Sequence, residues 1–364
     1  MRLLFPVFML CVIMFHSCKG DDSQHEQMTD SVSVDSTITL VFAGDMMSHM
    51  PMVKAAYNPQ SKRHEYEHWF QFLKDTIFSA DFAIANLETP LGGEPYSGYP
   101  MFSAPDSFAE DLKKVGFDVL VTANNHTVDK GRMGLERTLT VLDSLKIKHT
   151  GSFRNEQERE ASTPLMLETK GVKIAILSYT YGTNGISVPK PNVVNLIDHA
   201  RMEQDIIKAR KDSADLVIPV IHWGVEYQTY EHPSQVKTAE FLASKGVDAI
   251  IGMHPHVVQP NKYIKTKNDS IPVAYSLGNV VANMRDRYKD GGILIQLTIT
   301  MVNDTPRITS FNDIPFWVWK GSSKEVKGIH GFYIVPESQK YVLPASEAKK
   351  AQVFFDDTRK ILKK

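Results

Sequence analysis

Short apolar runs punctuate the chain from residue 38 onward: "ITLVFAG" (38–44), "FAIAN" (82–86), "VLVTA" (119–123), "KIAILSY" (173–179), "LVIPVI" (216–221), "AIIG" (249–252), "VAYSLG" (273–278) and "GILIQLTIT" (292–300). Most are rich in β-branched residues, and apolar and polar positions do not alternate within them. That is the pattern of strands buried on both faces. Helical spacing fills several of the gaps. "MGLERTLTVLDSLK" sets Leu135, Leu139, Leu142 and Leu145 on one face. "DHARMEQDIIKARKDS" predicts a second helix, and "SQVKTAEFLASKG" a third that stops at Gly246. Strands alternating with helices predict an α/β layered domain.

The pattern changes near the end. Residues 301–342 carry the aromatic, extended stretches "PFWVWKG" and "HGFYIVPES", which predict added antiparallel strands. Trp317 and Trp319 then share one strand face and are expected to pack into the core or an edge. "ASEAKKAQVFFDDTRKILKK" predicts an amphipathic final helix. The expected organisation is a leader over 1–17, a tether over 18–36, a main domain over 37–300, and C-terminal strands and helix over 301–364 packing on it.

The beginning is of another kind. "MRLLFPVFMLCVIMFHSC" has one basic residue, Arg2, then an apolar run too short for a comfortable membrane span. "FHSC" resembles a bacterial lipoprotein cleavage box, with Ser17 before the Cys that would receive lipid. "CKGDD" resembles the Lys-plus-acidic signature of surface-exposed lipoproteins. An uncleaved anchor or a plain signal peptide are the alternatives. The only cysteines are Cys11 and Cys18, so cleavage before Cys18 leaves no partner for a disulfide. The expectation is an exported protein, periplasmic or at the cell surface, held to the membrane through Cys18. The polar stretch from Lys19 to about Ser36 reads as a flexible tether.

Composition narrows the classes further. The 364 residues are 42% hydrophobic, with 41 Lys and Arg against 42 Asp and Glu. A balance this even gives no support for bulk electrostatic binding to nucleic acid.

The chemistry gathers where the apolar runs stop. They lead to Asp45, to Glu88, to Asn125 and His126, to His222, to His254 and His256, and to Asn279. In open α/β sheets the ligand crevice lies beyond the carboxyl ends of the strands, so parallel strands would bring these residues to one rim. Three histidines, two carboxylates and an amide mix nitrogen and oxygen donors, a set suited to Zn, Mn, Fe or Co. One bridging carboxylate with about three further ligands per ion is close to a two-metal inventory. In "GMHPH", Pro255 disfavours a helical His254. An extended backbone there would set His254 and His256 side by side.

The ordered series "AGDMM", "ANLETPLG", "TANNHTVDKGRMGL", "VIHWGVEYQ", "GMHPHVVQP" and "YSLGN" resembles the CapA family, the poly-gamma-glutamate capsule synthesis proteins. It covers about residues 40–285. That family is similar to the calcineurin-like metallophosphoesterases, which implies a four-layer α/β/β/α sandwich. The resemblance also implies roles. Asp45 and His256 would bind a first ion, Asn125, His222 and His254 a second, and Glu88 would bridge them. His126 would stand where phosphoesterases keep the His that protonates the leaving group, and Asp129 would orient it or begin the next helix. Trp223, Glu226, Tyr181 and Asn279 would line the cleft, with Tyr179 and Tyr227 beside them. One position departs from the wider pattern: Met47 stands where Asp-x-His has its histidine, and His49 is not expected to replace it.

Two functions follow. One is a metal-dependent hydrolase, using one or two ions, that cuts a phosphoester or amide bond in a capsule or envelope polymer. The other is a non-catalytic accessory lipoprotein that binds an anionic polymer.

Overall fold

The computed structural model describes residues 37–267, 269–321 and 331–363. The expected leader, the Cys18 expected to carry lipid and the whole of the expected tether lie outside the described residues.

Among the described residues, fourteen strands build two large sheets. In the first, Ile38–Met46, Phe82–Leu87, Val119–Val121 and Lys148–Thr150 run parallel. On the other side of Ile38–Met46, the strands Gly291–Val302, Thr305–Gly321 and Gly331–Pro336 form an antiparallel meander. In the second, Val172–Thr180, Leu216–His222, Ile250–Met253 and Ser270–Ala274 run parallel. Leu165–Thr169 and Asn261–Lys265 close its edges antiparallel.

The absence of alternation in the strands now has its cause: both faces are covered. Leu40, Phe42 and Ile84 of the first sheet join one core with Ile174, Ile176, Ile218 and Val220 of the second. The opposite faces meet helices. Val41, Ala43, Ala83 and Ala85 pack with Met52 of helix Met50–Ala56 and with Phe108 and Leu112 of helix Asp106–Val115. Ala175, Leu177, Val217 and Ile221 pack with Met202 and Ile206 of helix His199–Lys211 and Ala239 and Leu242 of helix Pro233–Ser244. The result is the predicted α/β/β/α sandwich. Each large side chain removed from water in these cores stabilises by about 1.5–3 kcal/mol.

The predicted C-terminal elements are present. Trp317 and Trp319 are both buried, and their face of the meander is covered by Phe354, Phe355 and Ile361 of helix Ala345–Leu362.

The run "VAYSLG" behaves differently from a simple strand. Its strand ends at Ala274, and the following residues cross from the second sheet to the first. Leu277 N–H donates to Gly252 O (3.2 Å), and Asp45 N–H donates to Gly278 O (3.0 Å). Asn279–Val281 then pairs parallel beside Asp45 and Met46. Gly44 allows this approach, since a Cβ there would lie 2.1 Å from the Gly278 carbonyl oxygen.

Candidate metal centre

The parallel strands of both sheets deliver their carboxyl ends to one place. The first sheet supplies Asp45, Glu88, Asn125 and His126, and the second supplies His222, His254 and His256. All seven are buried. Their donor atoms form two overlapping sets. In each of Asp45, Glu88 and His256, and of Glu88, His222 and His254, the ligand-capable atoms lie within 4.8 Å of one another. Glu88 belongs to both, and Asn125 Oδ1 lies 2.9 Å from His222 Nε2, at the second set. The sequence-predicted donors are thus brought together with the bridging carboxylate in the middle.

Amides organise the carboxylate side. Asn86 Nδ2 donates to Asp45 Oδ1 (2.8 Å) and lies 3.2 Å from His222 Nδ1. Asn124 Nδ2 in turn donates to Asn86 Oδ1 (3.1 Å) and to Leu87 O (2.8 Å). The sequence reading missed both residues, because an Asn at a strand end looks like a turn former. Asn279 does the same for an imidazole. Its Oδ1 lies 3.0 Å from His256 Nδ1, and its Nδ2 donates to His256 O (3.1 Å). A proton held on Nδ1 by that amide leaves the Nε2 lone pair toward Glu88, 3.7 Å away.

The buried groups have a deficit that a cation would correct. Neither Glu88 oxygen has a hydrogen-bond partner among the described residues, and His254 Nδ1 has none. Burying a carboxylate without a partner is costly. Burial, reinforced by the neighbouring Asp45 charge, pushes the Glu88 carboxyl well above its usual range. Burial also pulls the Asp45 carboxyl up, but the His256 bond and charge, with Asn86, outweigh it and hold it low. Burial and the adjacent imidazoles push His222 well down and His254 down to about 3, so both present neutral nitrogens. Neutral imidazoles facing unpartnered carboxylate oxygens fit a divalent cation.

His126 stands beside the donor sets without belonging to them. Its Nδ1 lies 2.8 Å from Asp129 Oδ2, which also accepts from Phe102 N–H (2.7 Å). The Phe102 ring meets His126 edge-on at 4.7 Å. The following helix, Gly131–Ser144, has Lys130 at its N-cap, so Asp129 orients His126 rather than capping the helix.

Three expectations require correction. His254 is not extended: its φ is 101°, and that of His256 is 57°. Both occupy the left-handed region that favours glycine. His254 N–H donates to Asp45 Oδ2 (3.1 Å), a bond that ties the strained segment to the carboxylate side. Trp223 does not line the cleft. Its indole is buried in the outer core of the second sheet and donates to Tyr275 O (2.9 Å). Asn279 is fully buried against His256 and serves as its support rather than as a substrate contact.

The remaining candidates divide. Tyr181 is half exposed with its ring 4.5 Å from that of His254, and exposed Glu226 reaches both His254 and His256. Tyr227 is exposed 6.2 Å from the His256 ring. Tyr179 is buried with its hydroxyl on Asp205 Oδ2 (2.7 Å), a structural contact. Met47 packs with Phe102 and Ala282. His49 Nδ1 accepts from Asn283 N–H (3.3 Å), and burial lowers it to about 4.

Two face-to-face sheets with a shared-carboxylate donor cluster at their strand ends define the metallophosphoesterase-type fold. The NAD nucleotidase NadN of Haemophilus influenzae shares it at a TM-score of 0.50 and 13% identity, over 88% of this chain and 62% of that one. The family model described as bacterial capsule synthesis protein PGA_cap matches residues 39–284, and the chain belongs to that family. It is 28% identical to the capsule biosynthesis protein CapA of Bacillus anthracis, over 71% of this chain and 63% of that protein. It is 27% identical to the PGA biosynthesis protein CapA of Bacillus subtilis, over 68% and 64%. These matches span less than two thirds of either relative.

Proposed function

We propose that the protein is an exported, membrane-anchored, metal-dependent hydrolase of capsule poly-gamma-glutamate or another envelope polymer, cutting a phosphoester or amide bond. One observation carries the reading: Glu88 sits in both donor sets with its two buried oxygens unpartnered. Asp45 and His256 would hold one divalent ion, Asn125, His222 and His254 another, and Glu88 both. Mn, Zn or Fe bound there would polarise the scissile group and acidify water. The chain's own part is to position the substrate and move protons. His126, steadied by Asp129, is placed to hand a proton to the leaving group. Tyr181 and Glu226 flank the approach. Lipid on Cys18 would keep the domain at the membrane, near a polymer substrate.

Met47 favours a second reading. It offers no hard donor beside Asp45, so the first ion has fewer ligands from its own strand. An accessory protein that binds an anionic polymer, with metal in a structural role, would tolerate that.

Elemental analysis of the purified full chain, combined with assays on phosphomonoesters, phosphodiesters and gamma-glutamyl peptides, separates the two. The hydrolase reading expects bound metal and turnover of one of these classes. Bound metal without turnover of any of them supports the accessory reading.

A further inference from the structure

A short turn at 183–186 follows the second-sheet strand Val172–Thr180. Ile186 N–H donates to Thr183 O (2.9 Å), and Thr183 Oγ1 donates to Ile186 O (2.6 Å). The central residues, Asn184 and Gly185, have φ of 52° and 75°. Asn and Gly accept such angles more readily than other residues, so the turn alone accounts for their presence. The exposed side chain of Asn184 does something the turn does not require. Its Oδ1 accepts from Nδ2 of Asn125, a buried residue of the other sheet, at 3.2 Å.

Asn125 has a problem of orientation that this bond solves. A side-chain amide has an accepting end and a donating end of nearly the same shape, and only the oxygen can bind a cation. A half-turn about χ2 exchanges the two ends at little cost unless their partners forbid it. Asn125 Oδ1 lies 2.9 Å from His222 Nε2, which places Nδ2 at the far end. An acceptor beyond that end holds the arrangement, and a donor there would reverse it. Asn184 Oδ1 is such an acceptor. Its two lone pairs meet two donors, Asn125 Nδ2 and the Tyr181 hydroxyl (3.4 Å). Tyr181 belongs to the same side of the centre. Its N–H donates to His222 O (2.9 Å), and its ring lies nearly parallel to that of His222 at 6.3 Å and 4.5 Å from that of His254. Residues 181–184 therefore reach Asn125, His222 and His254, the three donors proposed for the second ion besides Glu88.

We propose that Asn184 is a positioning residue for the second ion: its carbonyl oxygen holds the Asn125 amide with Oδ1 toward the site and thereby sets that ion's affinity. Asn184 binds no ion itself and takes no lone pair from the inner donors. This role presupposes the metal centre proposed above.

Titration of the metal-free full chain with Mn²⁺, following free Mn²⁺ by electron paramagnetic resonance, tests it. Asn125→Ala identifies the binding step that the amide serves. Asn184→Gly keeps the turn and removes the acceptor, so it should weaken that same step by about 10–100-fold. Asn184→Asp keeps the acceptor, since a carboxylate only accepts, and should bind no more weakly than wild type. Circular dichroism of the metal-free Asn184→Gly protein should match wild type. An Asn184→Gly titration superimposable on wild type overturns the role and leaves the centre standing. So does Asn184→Asp binding as weakly as Asn184→Gly, because the acceptor would then be irrelevant. Equal weakening of every step in Asn184→Gly would make the residue a general structural support and overturn its assignment to the second ion. Wild type that binds no Mn²⁺ overturns the centre and this role together.

Discussion

The two sheets contribute to the centre by different means. The first sheet presents its carboxylates at strand ends and steadies Asp45 with side-chain amides: Asn86 on Asp45, and Asn124 on Asn86. The second presents His254 and His256 on a backbone forced into the left-handed region. One side is ordered by hydrogen bonds that a single substitution removes. The other is ordered by chain conformation, held by the bond from His254 N–H to Asp45. The carboxylate side is therefore the better place to perturb the centre without disturbing the fold, whereas strain of this kind persists only where the surroundings over-determine it.

The largest effect is expected at Glu88, the point where the two sides meet. Glu88→Gln should abolish tight metal binding and turnover together. It should also stabilise the metal-free protein. The folded carboxyl is raised well above its ordinary 4.5, so its cost is present above that pH and vanishes below it. The thermal midpoint of metal-free Glu88→Gln should exceed that of wild type at pH 8, with the gap closing as the pH falls toward about 4.5. A midpoint below wild type at pH 8 would mean that Glu88 is satisfied without a cation.

His126→Ala comes next. It should lower kcat by about 10²–10⁴-fold while leaving the metal content unchanged. Loss of metal in this variant would move His126 into the donor sets. Asn279→Leu should weaken metal binding by about 10–100-fold, measured by competition with a chelator, because the imidazole of His256 loses its support. Equal affinity would show that the strained backbone alone aims the ring. The smallest effect belongs to Trp223→Phe, which deletes the indole bond to Tyr275. A loss of about 1 kcal/mol in stability with an unchanged KM is expected. A raised KM would return Trp223 to the cleft.

Much of this centre was legible in the sequence because its donors end runs whose burial is itself legible. Asp45, His222 and the neighbours of Val119–Val121 could be placed at one rim once parallel strands were inferred. The supporting roles of Asn86 and Asn124 were not legible, since their amides act on other side chains and the pattern of a turn hides that. The His254 and His256 geometry was misread for a related reason: a local rule for residues before proline was overridden by a bond to Asp45, which lies 209 positions away. Edge strands such as Leu165–Thr169 and Asn261–Lys265 escaped as well, because half-exposed edges carry mixed residues rather than apolar runs. Asn279 belongs with these, as its role exists only because the chain changes sheets just before it.

That change of sheets has a mechanical consequence. The segment from Tyr275 to Val281 bonds to both sheets next to Asp45, with Gly44 against Gly278, a link that opposes a clamshell opening of the two halves. Under the proposed activity, selection among substrates would fall to the side chains that border the donors: Phe102 beside His126 on one bank, and Glu226 and Tyr227 beside His254 and His256 on the other. Divergence in specificity within this architecture would then be written in those two borders, over a shared floor.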